Sequence, residues 1–103
     1  MSRRVLVARY LARTGEGDRI AEALTRMAAA VQRDEPDCLD YRAGRSVENL
    51  DEFVLYEEYV DQAALEAHRA TAHFQAIVEG EIVPLLEERQ RFVLDPLPGA
   101  PEA

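Results

Sequence analysis

The sequence predicts an α+β fold in which two helices pack on a four-stranded antiparallel sheet, in the ferredoxin-like order β-α-β-β-α-β. Three observations favour this class. The 103 residues allow only a single domain with one core. Four short segments have the composition and length of β-strands, in which successive side chains point to opposite faces. Between the strands, two longer segments repeat apolar residues at helical spacing.

The first strand is predicted at residues 5–11, and the first helix follows a turn at residues 14–18. Arg9 lies among apolar residues in the strand. One strand face would carry Val5, Val7, Arg9 and Leu11, and the other Leu6, Ala8 and Tyr10. The helix is indicated by the spacing of Ile20, Leu24, Met27, Ala28 and Val31. Pro36 ends it, because a proline disfavours helical backbone at the residue before it.

The second and third strands are predicted at residues 38–45 and 53–60, joined by a polar turn. The third is the strongest strand in the chain, because it is apolar on both faces. One of its faces would carry Phe53, Leu55 and Tyr59, and the other Val54, Tyr56 and Val60.

The second helix should begin at Asp61, whose side chain suits an N-cap. Apolar residues continue at helical spacing as far as Leu85, with breaks predicted near residues 71–72 and at Pro84. A last strand is predicted at residues 91–94. The predicted domain therefore covers residues 1–95, and residues 96–103, rich in proline, form an extended or disordered tail.

The central strands also predict an oligomer. The first and third strands should be neighbours in the middle of the sheet, and both are apolar on both faces. Two helices cover only one face of a sheet. We therefore expect a homodimer in which a second copy of the chain covers the other face.

Composition excludes several classes of function. The chain has 12 basic and 20 acidic residues, a net charge of −8, which disfavours binding to nucleic acid or to an anionic membrane. No segment has the length of a signal peptide core or a membrane span, so a cytoplasmic protein is expected. Cys38 is the only cysteine and is expected to be a small buried hydrophobe. The two histidines are five residues apart, a poor spacing for a shared metal ion.

Residues 53–74 resemble the antibiotic biosynthesis monooxygenase family. The family pattern is a strand ending in Glu-x-aromatic, then Asp, Ala-Leu and His, and His-Phe a short distance further on. In this sequence the matching residues are Glu57, Tyr59, Asp61, Ala64, Leu65, His68, His73 and Phe74. The segment 35–41 also resembles the turn that joins the family's first helix to its second strand, with Asp37 in place of the usual glycine.

The resemblance implies a dimeric α+β barrel with a substrate cavity between sheet and helices. It also implies a cofactor-independent monooxygenase, needing no metal or flavin, that acts with O2 on a small aromatic phenol or quinol. The heme-degrading branch of the family uses a tryptophan, and this chain has none. Two alternatives remain: a non-oxidative isomerase or cyclase using the same cavity, and a non-catalytic small-molecule binding protein.

Such an oxygenation needs a base, hydrogen bonds to the resulting anion and a dry pocket. His73, His68 and Glu57 are the catalytic candidates, because histidine is the side chain best suited to act as a base near neutral pH. For both histidines the alternative is a structural role, tying a helix end to a strand carboxylate. Glu57 is alternatively a buried acceptor paired with Arg9. The candidates for substrate binding are Arg9, Tyr59, Tyr10, Tyr41 and Phe74.

Overall fold

The computed structural model describes residues 2–99 and has the predicted element order. The strands are β1 (Arg4–Ala12), β2 (Cys38–Arg45), β3 (Glu52–Tyr59) and β4 (Leu86–Leu94). The α-helices are α1 (Gly17–Asp34) and α2 (Gln62–Ala70). Between α2 and β4 the chain forms a π-helix, Phe74–Ile82, and a 3-10 turn, Val83–Leu85.

The four strands form one antiparallel sheet in the order β2-β3-β1-β4. β1 and β3 are therefore the central, neighbouring strands, and the predicted fold class is confirmed. The register pairs Leu6 with Glu57 and Ala8 with Leu55. Since paired residues point to the same side of a sheet, the register decides which side chains share a face.

The hydrophobic core lies between one sheet face and the helices. Buried residues alternate with less buried ones along the whole of β3, and along β1 from Leu6 onwards. The buried face is the one that α1 covers with its apolar stripe. The fully buried members of the core include Ile20, Met27, Leu55, Tyr59, Val78 and Ile82.

Strand β4 begins five residues earlier than the sequence predicts, at Leu86 instead of residue 91. The early part is rich in charged residues and shows no apolar alternation. Its backbone nevertheless pairs with β1 from Ala12↔Leu86 onwards, because β1 supplies a full edge of hydrogen-bonding groups. β4 is an edge strand, where charged side chains are common.

The second helical region breaks where the sequence predicts. Asp61 caps α2 by accepting a hydrogen bond from the Ala64 N–H at 2.8 Å. Thr71 ends α2 with extended backbone, and its hydroxyl donates to the His68 carbonyl. The π-helix that follows ends against the 3-10 turn containing Pro84, which has no N–H to continue the ladder.

The sheet face away from the helices, here called the open face, is largely apolar. β4 contributes Phe92 and β3 contributes Val54 and Tyr56, whose exposed fractions are 54%, 48% and 41%. Arg9 lies among them and forms ion pairs with Glu52 and Glu88 at 2.6 and 2.8 Å. No part of the described chain covers these side chains with a helix.

Residues 96–99 of the predicted tail are exposed and have no regular helix or strand. The rest of the predicted tail, residues 100–103, lies outside the described residues. Within residues 2–99, no helix has both the length and the apolar character needed to cross a membrane.

Candidate functional site

The structure gathers most of the predicted site residues under the helices. His68 is 4% exposed, and its ring packs against the rings of Tyr59 and Phe74, with centroids 5.4 and 5.2 Å away. The ring of Tyr41 lies slightly further off, at 5.9 Å. Aromatic contacts of this geometry fix the plane of the imidazole.

The centre of this cluster is a carboxylate that sequence reasoning did not single out, Glu35. Its Oε1 lies 2.8 Å from His68 Nδ1, and its Oε2 lies 2.5 Å from His73 Nε2. One carboxylate thus holds both histidines of the chain. Because an ionised carboxylate only accepts hydrogen bonds, each of these two ring nitrogens carries the proton and donates.

Topology brings Glu35 to the histidines. Glu35 follows the last turn of α1, just before β2. β2 pairs antiparallel with β3, so that Cys38 faces Tyr59, and the Val60 N–H donates to the Asp37 carbonyl at 3.0 Å. The start of β2 therefore lies beside the end of β3, where α2 begins. The only sequence signal was the helix-ending segment 35–41, which marks a turn and gives no carboxylate role.

Burial disfavours the ionised form of Glu35, yet its pKa lies below the ordinary value. The hydrogen bonds from His68 and His73, together with the charges of these rings, outweigh the cost of burial. The carboxylate is therefore ionised at neutral pH. Its hydrogen bond with Nδ1 orients the His68 ring.

The pKa of Glu57 is shifted in the opposite direction to that of Glu35. It is 4% exposed, and burial raises its pKa although Tyr59 and His68 stabilise its charge. The Tyr59 hydroxyl donates to Glu57 Oε1 at 2.6 Å. Burial, and next the charge of Glu57, raise the pKa of Tyr59, so this hydroxyl keeps its proton. His68 Nε2 lies 3.6 Å from Glu57 Oε1, beyond hydrogen-bond range.

A small cavity of about 20 Å³ opens beside His68 and Glu57. Its apolar wall comes from β1, α2 and the start of the π-helix, and the Tyr10 side chain also lines it. The apolar lining residues are Leu6, Ala8, Leu65 and Phe74. A volume of this size holds about one water molecule.

The cavity also has three arginines in its lining that the sequence did not indicate: Arg69, Arg89 and Arg91. Arg69 comes from α2, and the other two come from the early, charged part of β4. Knowledge of the strand register would have revealed them, because Arg89 pairs with Tyr10 and Arg91 with Ala8, both on the core face.

The structure does not bring Arg9 to this site. Arg9 pairs with Val54 across β1 and β3, and so points to the open face, opposite to Tyr10 and Glu57. The expected pairing of Glu57 with Arg9 is therefore wrong, and Arg9 pairs with Glu52 and Glu88 instead. The physical reason is the alternation of a strand, which sends neighbouring residues to opposite faces.

The remaining predicted residues surround the cavity without lining it. His73 lies behind Glu35, with Asp34 4.0 Å from its Nδ1. Tyr41 and Tyr59 contact His68 from the sheet. Across residues 2–99, no group of three or more His, Cys, Asp or Glu side chains is arranged to hold a metal ion.

Fold and site together define a small α+β domain with a buried cluster of His and Glu side chains beside a small, partly open cavity. Residues 3–80 match the model of the antibiotic biosynthesis monooxygenase family, and the chain belongs to that family. Membership indicates a monooxygenase-like or small-molecule-binding function. Comparison with curated protein sequences gives no significant match.

Solved structures with the same fold span nearly the whole chain. Rv0793 from Mycobacterium tuberculosis is 28% identical with a TM-score of 0.86, covering 97% of this chain and 100% of its own. PA3566 from Pseudomonas aeruginosa is 29% identical with a TM-score of 0.81, and the match covers 94% of this chain and 96% of PA3566. A Caulobacter crescentus protein named for the same family has a TM-score of 0.85 at 24% identity, covering 93% and 91%. At that identity the last likeness shows the fold alone.

Proposed function

We propose that this protein is a cofactor-independent monooxygenase that acts on a phenol or quinol-type small molecule. The observation that carries the proposal is the cavity-lining His68, whose Nδ1–H is held by the ionised Glu35. In the neutral form of the imidazole, which is the form that acts as a base, this hydrogen bond keeps the proton on Nδ1 and leaves Nε2 as the acceptor. Nε2 faces Glu57, which also lines the cavity.

In the proposed reaction, His68 Nε2 takes the hydroxyl proton of the substrate and leaves an electron-rich phenolate. The phenolate transfers one electron to O2, and the two radicals combine to form a carbon–oxygen bond at a ring carbon that bears hydrogen, ortho or para to the phenolate oxygen. In a hydroquinone, whose para carbon carries a hydroxyl, this is an ortho carbon. Loss of the hydrogen on that carbon then breaks the O–O bond, giving a quinone and one water. Each O2 is fully consumed, one atom in the product and one in water, so no external reductant is required.

The other residues have supporting roles in this proposal. Glu35 stabilises the imidazolium that forms on His68, and His73 is a positioning residue that holds Glu35 from the far side. Tyr10 lines the cavity and can donate to a substrate oxygen. The apolar wall keeps water away from the anion.

An aromatic ring needs more room than the cavity provides, so the wall has to open when substrate enters. We place the opening at Phe74, where the lining wall joins the π-helix. π-helical turns are less regular than α-helical ones and occur frequently at functional sites. Displacing the Phe74 ring would enlarge the cavity on the side where the exposed Arg69 lies over that ring.

The test is O2 consumption by the purified protein with a panel of hydroquinones, compared with the same mixtures without protein. We expect His68→Gln to lower kcat by about 10²–10⁴-fold, the usual contribution of a general base. His73→Gln is the matched variant, because it removes the same side chain from the other oxygen of the same carboxylate. It should leave KM unchanged and lower kcat by less than about tenfold, since His73 does not line the cavity.

Other outcomes contradict the proposal. Turnover that continues without O2 identifies an isomerase or cyclase using the same base. Saturable binding of the panel without chemistry identifies a binding protein. Equal effects of the two histidine substitutions on kcat would remove the assignment of His68 as the base.

We further propose that two chains associate through the open face. Phe92, Val54 and Tyr56 expose apolar surface there, and β1 adds the half-buried Val7 and Leu11. Contiguous apolar surface of this kind is typical of an interface. Because the face belongs to one sheet, pairing two copies makes a symmetric contact.

Sedimentation velocity at micromolar concentration tests this association. We expect a dimer for the native chain and a monomer for Val54→Asp. Val47→Asp is the control, because Val47 is 94% exposed and lies in the turn between β2 and β3. A native monomer, or dissociation by both substitutions, would contradict the proposed interface.

A further inference from the structure

The lining of the cavity is asymmetric in charge. Its inner part consists of buried apolar residues with Glu57 and His68, whereas Arg69 and Arg91 are exposed and Arg89 is half-buried. The arginines therefore form the solvent-facing side of the cavity. They come from two elements that face each other across it, α2 and β4.

These arginines form few ion pairs, although the chain has more acidic than basic residues. Arg89 forms one ion pair, with Glu79 at 3.0 Å. Arg69 and Arg91 have no carboxylate within 4.0 Å among residues 2–99. By contrast, Arg9 and Arg26 each bind two carboxylates.

Two of the guanidiniums are also positioned by aromatic rings. Arg89 lies over the Tyr10 ring and Arg69 over the Phe74 ring, each 5.9 Å from the centroid. Both rings line the cavity. Stacking of this kind orders the planar guanidinium without using its N–H groups, so that those of Arg69, and those of Arg89 not bound to Glu79, can bind an anion.

Arg91 lies near the positive charges of two other arginines, Arg69 and Arg89. Burial lowers the pKa of its guanidinium, and the nearby charges of Arg69 and Arg89 lower it further. Glu57 is the acidic residue in the cavity, but burial raises the pKa of this carboxyl and weakens its countercharge. A bound anion would relieve the repulsion among the three arginines.

We infer that the cavity binds an aromatic substrate carrying a carboxylate, and that Arg69, Arg89 and Arg91 hold the carboxylate at the solvent-facing side. The inference rests on the proposed function and adds the substrate class. The planar fork of arginine matches both oxygens of a carboxylate. The ring then lies against Leu65 and Phe74, with its hydroxyl directed at His68. Arg89 and Arg91 lie beyond residues 3–80, so they are not part of the family match.

The test is anaerobic calorimetric titration with two probes that share the same dihydroxyphenyl ring. One is 2,5-dihydroxybenzoate, which carries a carboxylate, and the other is its uncharged amide, 2,5-dihydroxybenzamide. We expect the acid to bind the native protein at least about tenfold more tightly than the amide, the difference that one charge-assisted pair supplies. Arg91→Gln should reduce acid binding to the level of the amide and leave amide binding unchanged. Arg91→Lys, which keeps the charge and loses the fork, should fall between them.

Arg13→Gln is the matched control, because it makes the same change in net charge on an exposed arginine outside the cavity lining. It should leave the preference for the acid intact. Equal affinity for acid and amide, or an equal loss of preference in the Arg13 and Arg91 variants, would overturn the inference.

This experiment is separate from the test of oxygenation. If acid and amide bind equally and both are oxidised with consumption of O2, the inference fails and the proposed function stands. If the acid binds preferentially through Arg91 and no probe is oxidised, the carboxylate site stands and the oxygenase proposal fails.

Discussion

Replacing Glu35 by alanine removes the acceptor for two imidazole N–H groups at once. One of them, His68 Nδ1, belongs to a side chain that is 4% exposed, so water does not replace the lost partner. The other, His73 Nε2, belongs to a side chain that is 14% exposed and regains some solvent. The damage should therefore fall mainly on the packing of α2 against the start of β2.

The size of the effect follows from these two hydrogen bonds. A buried donor left unsatisfied costs about 1–3 kcal/mol, and an ordinary hydrogen bond contributes about 0.5–1.5 kcal/mol. Because burial opposes ionisation of Glu35, its removal also returns part of the desolvation cost. We expect a net loss of about 2–3 kcal/mol in the free energy of unfolding at pH 7. That corresponds to a fall in the urea midpoint on the order of 1–2 M.

Urea unfolding followed by circular dichroism, repeated at several pH values, measures this effect. The pKa of Glu35 is lower in the folded protein, so its ionised carboxylate stabilises the fold above the ordinary pKa of 4.5. This contribution is lost as the pH falls through the lower, folded pKa. Glu35→Gln keeps a hydrogen-bonding side chain without the charge, so its difference from the native chain should shrink below about pH 4.5.

Glu48→Ala is the control, because Glu48 is an exposed glutamate in the turn between β2 and β3. Its effect should stay within about 0.5 kcal/mol at every pH. The reasoning is refuted if Glu35→Ala costs no more than Glu48→Ala. It is also refuted if the Glu35→Gln difference is independent of pH.

Three further predictions concern local structure. Asp61→Ala should lower the free energy of unfolding by about 1 kcal/mol in urea titration, because the N-cap bond to the Ala64 N–H is lost. Gly17→Ala should destabilise by about 1–3 kcal/mol in the same assay, because a Cβ there would overlap the Leu50 carbonyl oxygen. Burial raises the pKa of the Cys38 thiol to about 12, so iodoacetamide at pH 8 should label native protein far more slowly than urea-unfolded protein. Equal labelling rates, or a Gly17 variant as stable as the native chain, would contradict these local accounts.

Much of the fold was predictable because its signals are local. The two-residue alternation of residues 53–60 and the helical spacing from Ile20 to Val31 each depend on near neighbours in the chain. β4 was predicted too short for the opposite reason. Its first residues, such as Glu87 and Glu88, carry no apolar pattern and become a strand only because β1 offers them hydrogen-bond partners.

The candidate site was predictable in part. The motif around His68 indicated which side chains carry the chemistry, and the structure brings His68, Glu57 and Tyr59 together. The motif could not indicate Glu35, because Glu35 is 33 residues away from His68 in the chain and reaches it only through the pairing of β2 with β3. Arg91 was missed for the same reason, because it has no neighbour in the sequence that indicates a cavity.

The sequence by itself determined the element order, the two central strands apolar on both faces and the family motif, since each depends on residue type and short spacing. Only the tertiary structure decided which charges meet. Arg9 and Tyr10 are adjacent in the chain, yet the alternation of β1 sends one to the open face and the other into the cavity. Electrostatic interactions act over a few ångströms in space, whatever the separation along the chain. The register of the sheet therefore decided that Arg91, rather than Arg9, lines the cavity with His68, and the pairing of β2 with β3 brought Glu35 to the histidine.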